Sequence, residues 1–426
     1  LMREKLISLL VLVFLVSLTL SGCGGSSSNG GSGGKTDEKT ITFWTPLTGD
    51  DGAYMDEMVK AYNATNPKFK VKHVVTSDMY TKIFTVMNSG KGIPDLAIIH
   101  ADRVPGFVDK DMLEPLTDIM SAQPSINADN YIPQAWNAGT VNGTQYTVPL
   151  DIHSNAMYYN KDLLEQYGVS NFLDDNVITF DEMLSLKGKL KKGDYVVNDA
   201  LISWVILAQI QNLGGDIKDA NENPTVNTPE MKQAIEEIKK ISDAGLMTPY
   251  GEDGYLMFQS GHVLFSTDGT WTSTAHAQVK GLNFGVTNIY SFDPAVFHNR
   301  ASSHMFAMLK NDARSDEKEK GIADFLEWVR NNSIKWAEAG QIVASKVVFD
   351  SPEYQKYIQS FFTSSEAETN SLYIYTYKYY PEVQEALDTY SADMVHGKLD
   401  IDKGLKQAQK FVDDKIKEDT SGKSKK

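Results

Sequence analysis

The chain has 426 residues, 41% of them hydrophobic and 23% charged, with a formal net charge of -15 and one cysteine. That supplies enough apolar material for about two domains with real cores, and the acidic excess argues against nucleic acid, which needs clustered Lys and Arg to bind its phosphates. A single cysteine excludes an intramolecular disulfide, so packing alone must stabilise the fold.

The amino end opens with the charged residues Arg3, Glu4 and Lys5, continues as an almost unbroken apolar run from Leu6 to Leu20, and stops at Ser21-Gly22-Cys23. This is the shape of an export signal. Its apolar run falls short of the about 20 residues a membrane-spanning helix needs. The four residues Leu20-Ser21-Gly22-Cys23 resemble the lipobox of bacterial lipoproteins, in which cleavage leaves the Cys as first residue with a diacylglyceryl group on its sulfur. The alternative is a plain signal peptide or uncleaved anchor with an idle Cys. The expectation is a signal peptide over 1–22, then lipidated Cys23 and a flexible Gly/Ser tether over 23–40, spanning roughly 20 to 25 Å by the scaling for Gly-rich chains. Two or more acyl chains hold a protein on a membrane far better than one.

From Thr40 the pattern becomes strand, helix, strand, helix, strand. Ile41 to Trp44 is a short strand, and Tyr54, Met58, Ala61 and Tyr62 recur at helical spacing up to Asn66-Pro67. Phe69, Val71, His73 and Val75 alternate as a second strand. A helix ending at Gly90 follows, and Asp95 to Ile99 is a continuous apolar strand of the kind buried on both faces. This alternation predicts a parallel sheet covered by helices. Further helical stripes fall at Ala234, Ile235, Ile238 and Ile241, at Ile322, Phe325, Leu326 and Val329, and at Leu405, Ala408, Val412 and Ile416. The chain is expected to fray from residue 419 to 426.

Enzyme signatures are sparse. The eight His residues show neither HExxH nor a short paired metal spacing, there is no GxSxG turn, and Gly90-Lys91 lacks the rest of a phosphate loop. No cofactor is expected. Fifty-six acidic residues leave a glycosidase carboxylate pair open, because its spacing is spatial.

The segments ITFWTPLTGDDGAYMDEMVKAYNATNP, YTKIFTVMNSGKGIPDLAII, GTQYTVPLDIHSNAMYYNKDLLEQYGV, MFQSGHVLFSTDGTW and AEAGQIVASKVV, in that order, resemble the extracellular solute-binding proteins of family 1. These are sugar-capturing subunits of bacterial ABC importers. One departure is Ala344, where relatives usually carry Pro. The resemblance implies an α/β, two-lobed periplasmic-binding-protein-like fold (type II) with a ligand cleft between lobes. It places the first lobe at 41–152 with 290–330 and the second at 153–289 with 331–418. Chain crossings would fall near Asp151 to Ala156, near Asn288 to Tyr290 and near Asn331. It further implies a carbohydrate ligand, ABC permease subunits with a separate ATPase, and a monomer lipid-anchored at the outer face of the cytoplasmic membrane. The alternatives are a secreted, lipid-anchored glycoside-active enzyme and a binding protein of the same fold for peptide or metal. A ferric site would want converging Tyr, but the run Tyr373 to Tyr380 reads as a buried or lobe-facing segment.

A sugar presents C–H patches and a rim of hydroxyls, so its site needs flat aromatic surfaces plus directional donors and acceptors. Open α/β sheets place such sites at strand carboxyl ends. Trp44 ends the first strand and reads equally as cleft wall or core. Trp271 follows the strand at Phe265 and a glycine, and in the family a Trp here often stacks on the sugar. Trp204 lies in an apolar stretch, as cleft or helix core. His100 and Asp102 follow the buried strand at its carboxyl end. Asp151 and His153 stand at the expected first crossing, either touching ligand or bracing the hinge. Asp51 caps the first helix or faces ligand. Arg300, expected in a loop, either clamps hydroxyls or a ligand carboxylate or forms a surface ion pair. Trp136, Trp328 and Trp336 are left to packing or to no assigned role.

Overall fold

The computed structural model describes residues 39–49 and 51–423, with side chains described up to Glu418. The expected export segment, Cys23 and most of the tether lie outside the described residues, as does Asp50. No helix among the described residues is long and apolar enough to cross a membrane.

Two sheets organise the chain. The first runs in the order Lys70–Val75, Thr40–Thr45, Leu96–His100, His304–Ala307, Thr147–Pro149. Its first three strands are parallel, as the alternation predicts, and His304–Ala307 enters antiparallel to both its neighbours. The second sheet is built around the long strand Asp151–Asn160, flanked by Asn299–Ser302 and Val263–Gly269, with Leu372–Ile374 and Tyr195–Val197 outside them. Phe284–Thr287 and Ile342–Val343 pair with that long strand as well.

Local sequence accounts for the helices. Met231, Ala234, Ile235, Ile238 and Ile241 form the buried stripe of Pro229–Asp243, which starts at Thr228, whose hydroxyl accepts the Met231 N–H. In Asp51–Ala64 the buried stripe is Met55, Met58, Val59 and Tyr62, with Tyr54 half-buried and Ala61 exposed. The inward face is thus rotated from the expected one, because methionine and valine, not alanine, supply the volume that packs on the sheet. The last helix, Ile401–Lys423, carries helical backbone into the expected tail.

The chain changes sheets at Leu150, between Thr147–Pro149 and Asp151–Asn160, so the long strand belongs wholly to the second sheet. It returns at Ser303, between Asn299–Ser302 and His304–Ala307, and not near Asn288 to Tyr290. The reason is an extra pass: Ile289 and Tyr290 are buried in the second lobe's core, and Ala301 and Ser302 pair with Ser154 and His153 before the chain leaves. The third passage falls between helix Asp316–Asn332, whose Phe325 packs edge-on against Phe43 and Phe306 of the first lobe, and strand Ile342–Val343 in the second.

One apolar core runs from Phe43 and Phe325 through the joints to Ile152, Trp336 and Ile342. A second, around Ile206, Ile235, Phe265 and Leu387, fills the far side of the second sheet and takes in Tyr375, Tyr377 and Tyr380 of the aromatic run. Trp136 lies buried in the short helix Pro133–Ala138, not in a loop.

Candidate functional site

A cavity of about 430 Å³ opens between the lobes, with Asp51, His100 and Asp102 on the first-lobe side and Trp204, Trp271 and Arg300 on the second. His153 and His304 line it beside the joints. It shares Asp51, His100, Trp271 and His304 with an adjoining cavity of about 370 Å³, and Tyr80, Asp102 and Arg103 with another of about 660 Å³. The three form one trough running from Tyr54 and Tyr255 to Lys378 and Lys415.

The second-lobe wall is aromatic. Strand Val263–Gly269 ends at a glycine because Trp271 folds back over it: a Cβ at 269 would collide with the indole ring. The turn is held by the Tyr158 hydroxyl, near the carbonyls of Gly269 (3.1 Å) and Thr270 (3.2 Å), and by Thr272 Oγ1, which donates to Gly269 O at 2.9 Å. Trp204, on helix Ile202–Asn212, meets Trp271 edge-on with ring centroids 5.7 Å apart. The Arg300 guanidinium stands 3.5 Å from the centre of the Trp204 ring, and its Nε donates to Tyr380 Oη at 2.7 Å. Arg300 Nη1 has no hydrogen-bond partner among the described residues.

The first-lobe wall is polar. His100 ends the central strand, and its Nδ1 is paired with the Tyr80 hydroxyl, which also accepts the His100 backbone N–H at 3.1 Å. Asp102 sits in the tight turn Ala101–Arg103, accepts the Ser302 hydroxyl at 3.3 Å from across the joint, and pairs with Arg103 at 3.4 Å. Arg103 in turn lies over the Tyr80 ring.

Asp151 ties the walls together from beneath. Fully buried, its carboxylate accepts the His304 backbone N–H at 2.9 Å, His304 Nδ1 at 2.7 Å and Trp336 Nε1 at 2.6 Å, and pairs with His153 Nδ1 at 3.3 Å. Burial alone would raise the pKa of Asp151, but the His304 charge and the histidine hydrogen bonds pull it well below the usual carboxylate range. Burial works against protonation of His304, and Asp151 more than offsets it, raising that pKa. Burial and the His304 charge lower His153 to about 4, and burial with both neighbouring histidines lowers His100.

Several candidates are placed differently from expectation. Trp44 lines none of these cavities. Half-buried, it packs with the cluster around Met79 and Ile83, because the cleft opens past the end of its strand, at Pro46 to Gly49, and not over either face. Asp151 reaches no cavity, since every side of its carboxylate is occupied by the hinge. Arg300 is neither in a loop nor on the surface: it lies in strand Asn299–Ser302, 4% exposed. Asp51, His100, Asp102, His153, Trp204 and Trp271 come together around the trough.

His304, Tyr80, Arg103 and Gln341 line the trough without having been singled out. Arg103 was within reach, being next to Asp102 in the same turn. His304 was not, because only its antiparallel pairing opposite His100 brings it there.

A two-lobed α/β protein with an aromatic wall facing a polar one across an interlobe cleft defines a class, that of the solute-binding proteins. Residues 57–363, most of the chain, match the bacterial extracellular solute-binding protein family, and the chain belongs to it. It is 26% identical to the arabinooligosaccharide-binding protein of Bacillus subtilis over 60% of this chain and 58% of that one. The chain thus spans little more than half the length of that relative. It is 24% identical to the galactooligosaccharide-binding protein of the same organism over 98% and 99% of the two chains. The sugar-binding protein MalE of Xanthomonas citri has the same fold, with a TM-score of 0.76 at 17% identity over 91% of this chain and all of that one.

Proposed function

We propose that this protein captures a carbohydrate, an oligosaccharide, in the interlobe trough and delivers it to an ABC import permease driven by a separate ATPase. The observation that carries the reading is the pair Trp204 and Trp271, two indoles on one wall, set opposite His100, Asp102 and Arg103 on the other. Indoles cover the C–H faces of a pyranose or furanose ring, while imidazole, carboxylate and guanidinium groups read its hydroxyls. The trough continues past both ends of the central cavity, which favours several sugar rings over one. The names of the two Bacillus relatives support the same ligand class.

Ligand touching both walls stabilises a closed arrangement of the lobes, and the permease reads the altered surface. The protein acts as a monomer, without catalysis. Cys23, lipidated after export, holds it at the outer face of the membrane, and the Gly/Ser segment leaves it free to turn.

The test is a panel of arabino-, galacto- and malto-oligosaccharides, screened by thermal shift and tryptophan fluorescence on the tagless mature chain, with chromatography of each mixture. Micromolar binding without products is expected. Steady release of shorter sugars would replace this reading with a hydrolase, and a melt indifferent to every sugar would move the ligand to another class. Mass spectrometry of the protein released from membranes checks for the acylated Cys23.

A further inference from the structure

We propose that His100, His153 and His304 form a binding site for a divalent transition-metal ion such as zinc at the joint between the lobes. One ring nitrogen from each of the three lies within 4.8 Å of the others. The ring centroids are 4.4 Å apart for His153 and His304, 5.1 Å for His100 and His304, and 5.7 Å for His100 and His153. Three imidazoles around one tetrahedral zinc, with Zn–N of about 2.0 to 2.1 Å, have centroids about 5 Å apart and nitrogens about 3.4 Å apart. The ring centroids already stand near that separation, while the nitrogens, within 4.8 Å of one another, must draw in to hold an ion.

The outer partners point the same way. Nδ1 of His304 and of His153 is paired with Asp151, and Nδ1 of His100 with Tyr80. That leaves Nε2 of each ring with no protein hydrogen bond among the described residues, on rings that line one cavity. A metal-binding imidazole characteristically has its second nitrogen held by a carboxylate or another oxygen, which fixes the ring's orientation. Three imidazoles without thiolate suit zinc, copper(II) or nickel(II) and not magnesium or calcium, which prefer oxygen. Coordination positions left by the three rings open on the cavity, where water or a ligand oxygen can fill them. His100 and His304 come from the first sheet and His153 from the second, so a bound ion joins the lobes.

The site does not depend on the ligand being a sugar. The mature chain, without affinity tag and stripped with EDTA, is titrated with zinc by calorimetry, with cobalt(II) by visible absorption and with copper(II) by electron paramagnetic resonance. One zinc per chain, tetrahedral cobalt bands and hyperfine splitting from three imidazoles are expected. His100 is only half-buried at a strand end, so His100→Ala should keep the wild-type circular dichroism and lose more than about 100-fold in zinc affinity, since even outer partners of such sites are worth about 10- to 100-fold. No stoichiometric zinc binding by the wild type, fewer than three coordinated imidazoles, or unchanged affinity in His100→Ala overturns the site. The sugar panel repeated in EDTA separates the two readings: sugar binding that persists there, with no zinc bound in its absence, overturns the metal site alone.

Discussion

The two walls of the trough solve different problems. The second-lobe wall is made of flat rings held by packing: Trp271 is folded over Gly269, Trp204 lies against Trp271, and Arg300 is stacked on Trp204. The first-lobe wall is made of charged and hydrogen-bonding groups at the end of a parallel strand, each oriented by a polar neighbour such as Tyr80 or Ser302. Ring surfaces accept any sugar face, whereas directional groups discriminate, because a missing hydroxyl leaves a buried polar group unpaired. Under the proposed sugar reading, the difference assigns affinity chiefly to one lobe and selectivity to the other.

Asp151 bonds to His304, His153 and Trp336 across the joint, so Asp151→Asn should have the largest effect. Replacing a buried carboxylate among its histidine and indole partners should cost about 3–5 kcal/mol of stability, measured by denaturant unfolding at pH 7. A loss below about 1 kcal/mol would mean the joint does not depend on the charge.

The walls also differ in their foundations. Beneath the first, Asp95 is buried but paired with Lys318. Beneath the second, Asp268 is buried with its one described hydrogen bond from the Gly269 N–H, and burial pushes its pKa from 3.8 up to about 7. A carboxyl whose folded pKa is raised contributes stability below its unfolded pKa and loses it as pH rises, here between about pH 4 and pH 7. The loss should be on the order of 4 kcal/mol. Asp268→Asn, whose amide oxygen can still accept the Gly269 N–H, should therefore raise the melting temperature at pH 8 and leave it little changed at pH 4. An unaltered slope of stability against pH in that variant would show Asp268 ionised throughout.

Substitutions on the walls themselves sharpen the contrast. Trp271→Ala should weaken every bound sugar by about 2 kcal/mol, the size of an interface hot spot, with a smaller change in melting temperature. Calorimetry against several sugars decides it, and equal losses of affinity and stability would make Trp271 a packing residue. Asp102→Asn should cost only about 1 kcal/mol, the worth of a typical hydrogen bond, but unevenly among sugars differing at one hydroxyl. A uniform loss across epimers would deny the first wall its selective role.

The parallel half of the first sheet was legible because its strands and helices alternate in sequence and Leu96 to Ile99 is uniformly apolar. His100, Asp102 and Trp271 were legible for a related reason, since each stands at or just past the carboxyl end of a strand, where a cleft must open. The antiparallel strand His304–Ala307 was not. It joins the first sheet from well over a hundred residues beyond both its neighbours, so nothing local marked the return at Ser303 or the place of His304. Trp44 shows the complementary limit: a strand's last residues alternate between faces, and sequence does not say whether a face looks into a cleft or under a helix. The histidine cluster escaped for want of any short spacing, because its members come from three strands that only the sheets bring together.

The joints at Leu150 and Ser303 each consist of one residue between strands, and they are tied to each other, the Leu150 N–H donating to His304 O at 2.8 Å. Two such points define a fulcrum. For any rotation about it, a displacement grows in proportion to distance from the axis. His153 and His304, one to three residues from the joints, travel little. Asp109 and Lys378, facing each other at 4.0 Å, would travel farther. The molecule is in that sense a lever with a short arm and a long one, and a change in contact at its short arm is read out, enlarged, at the rim.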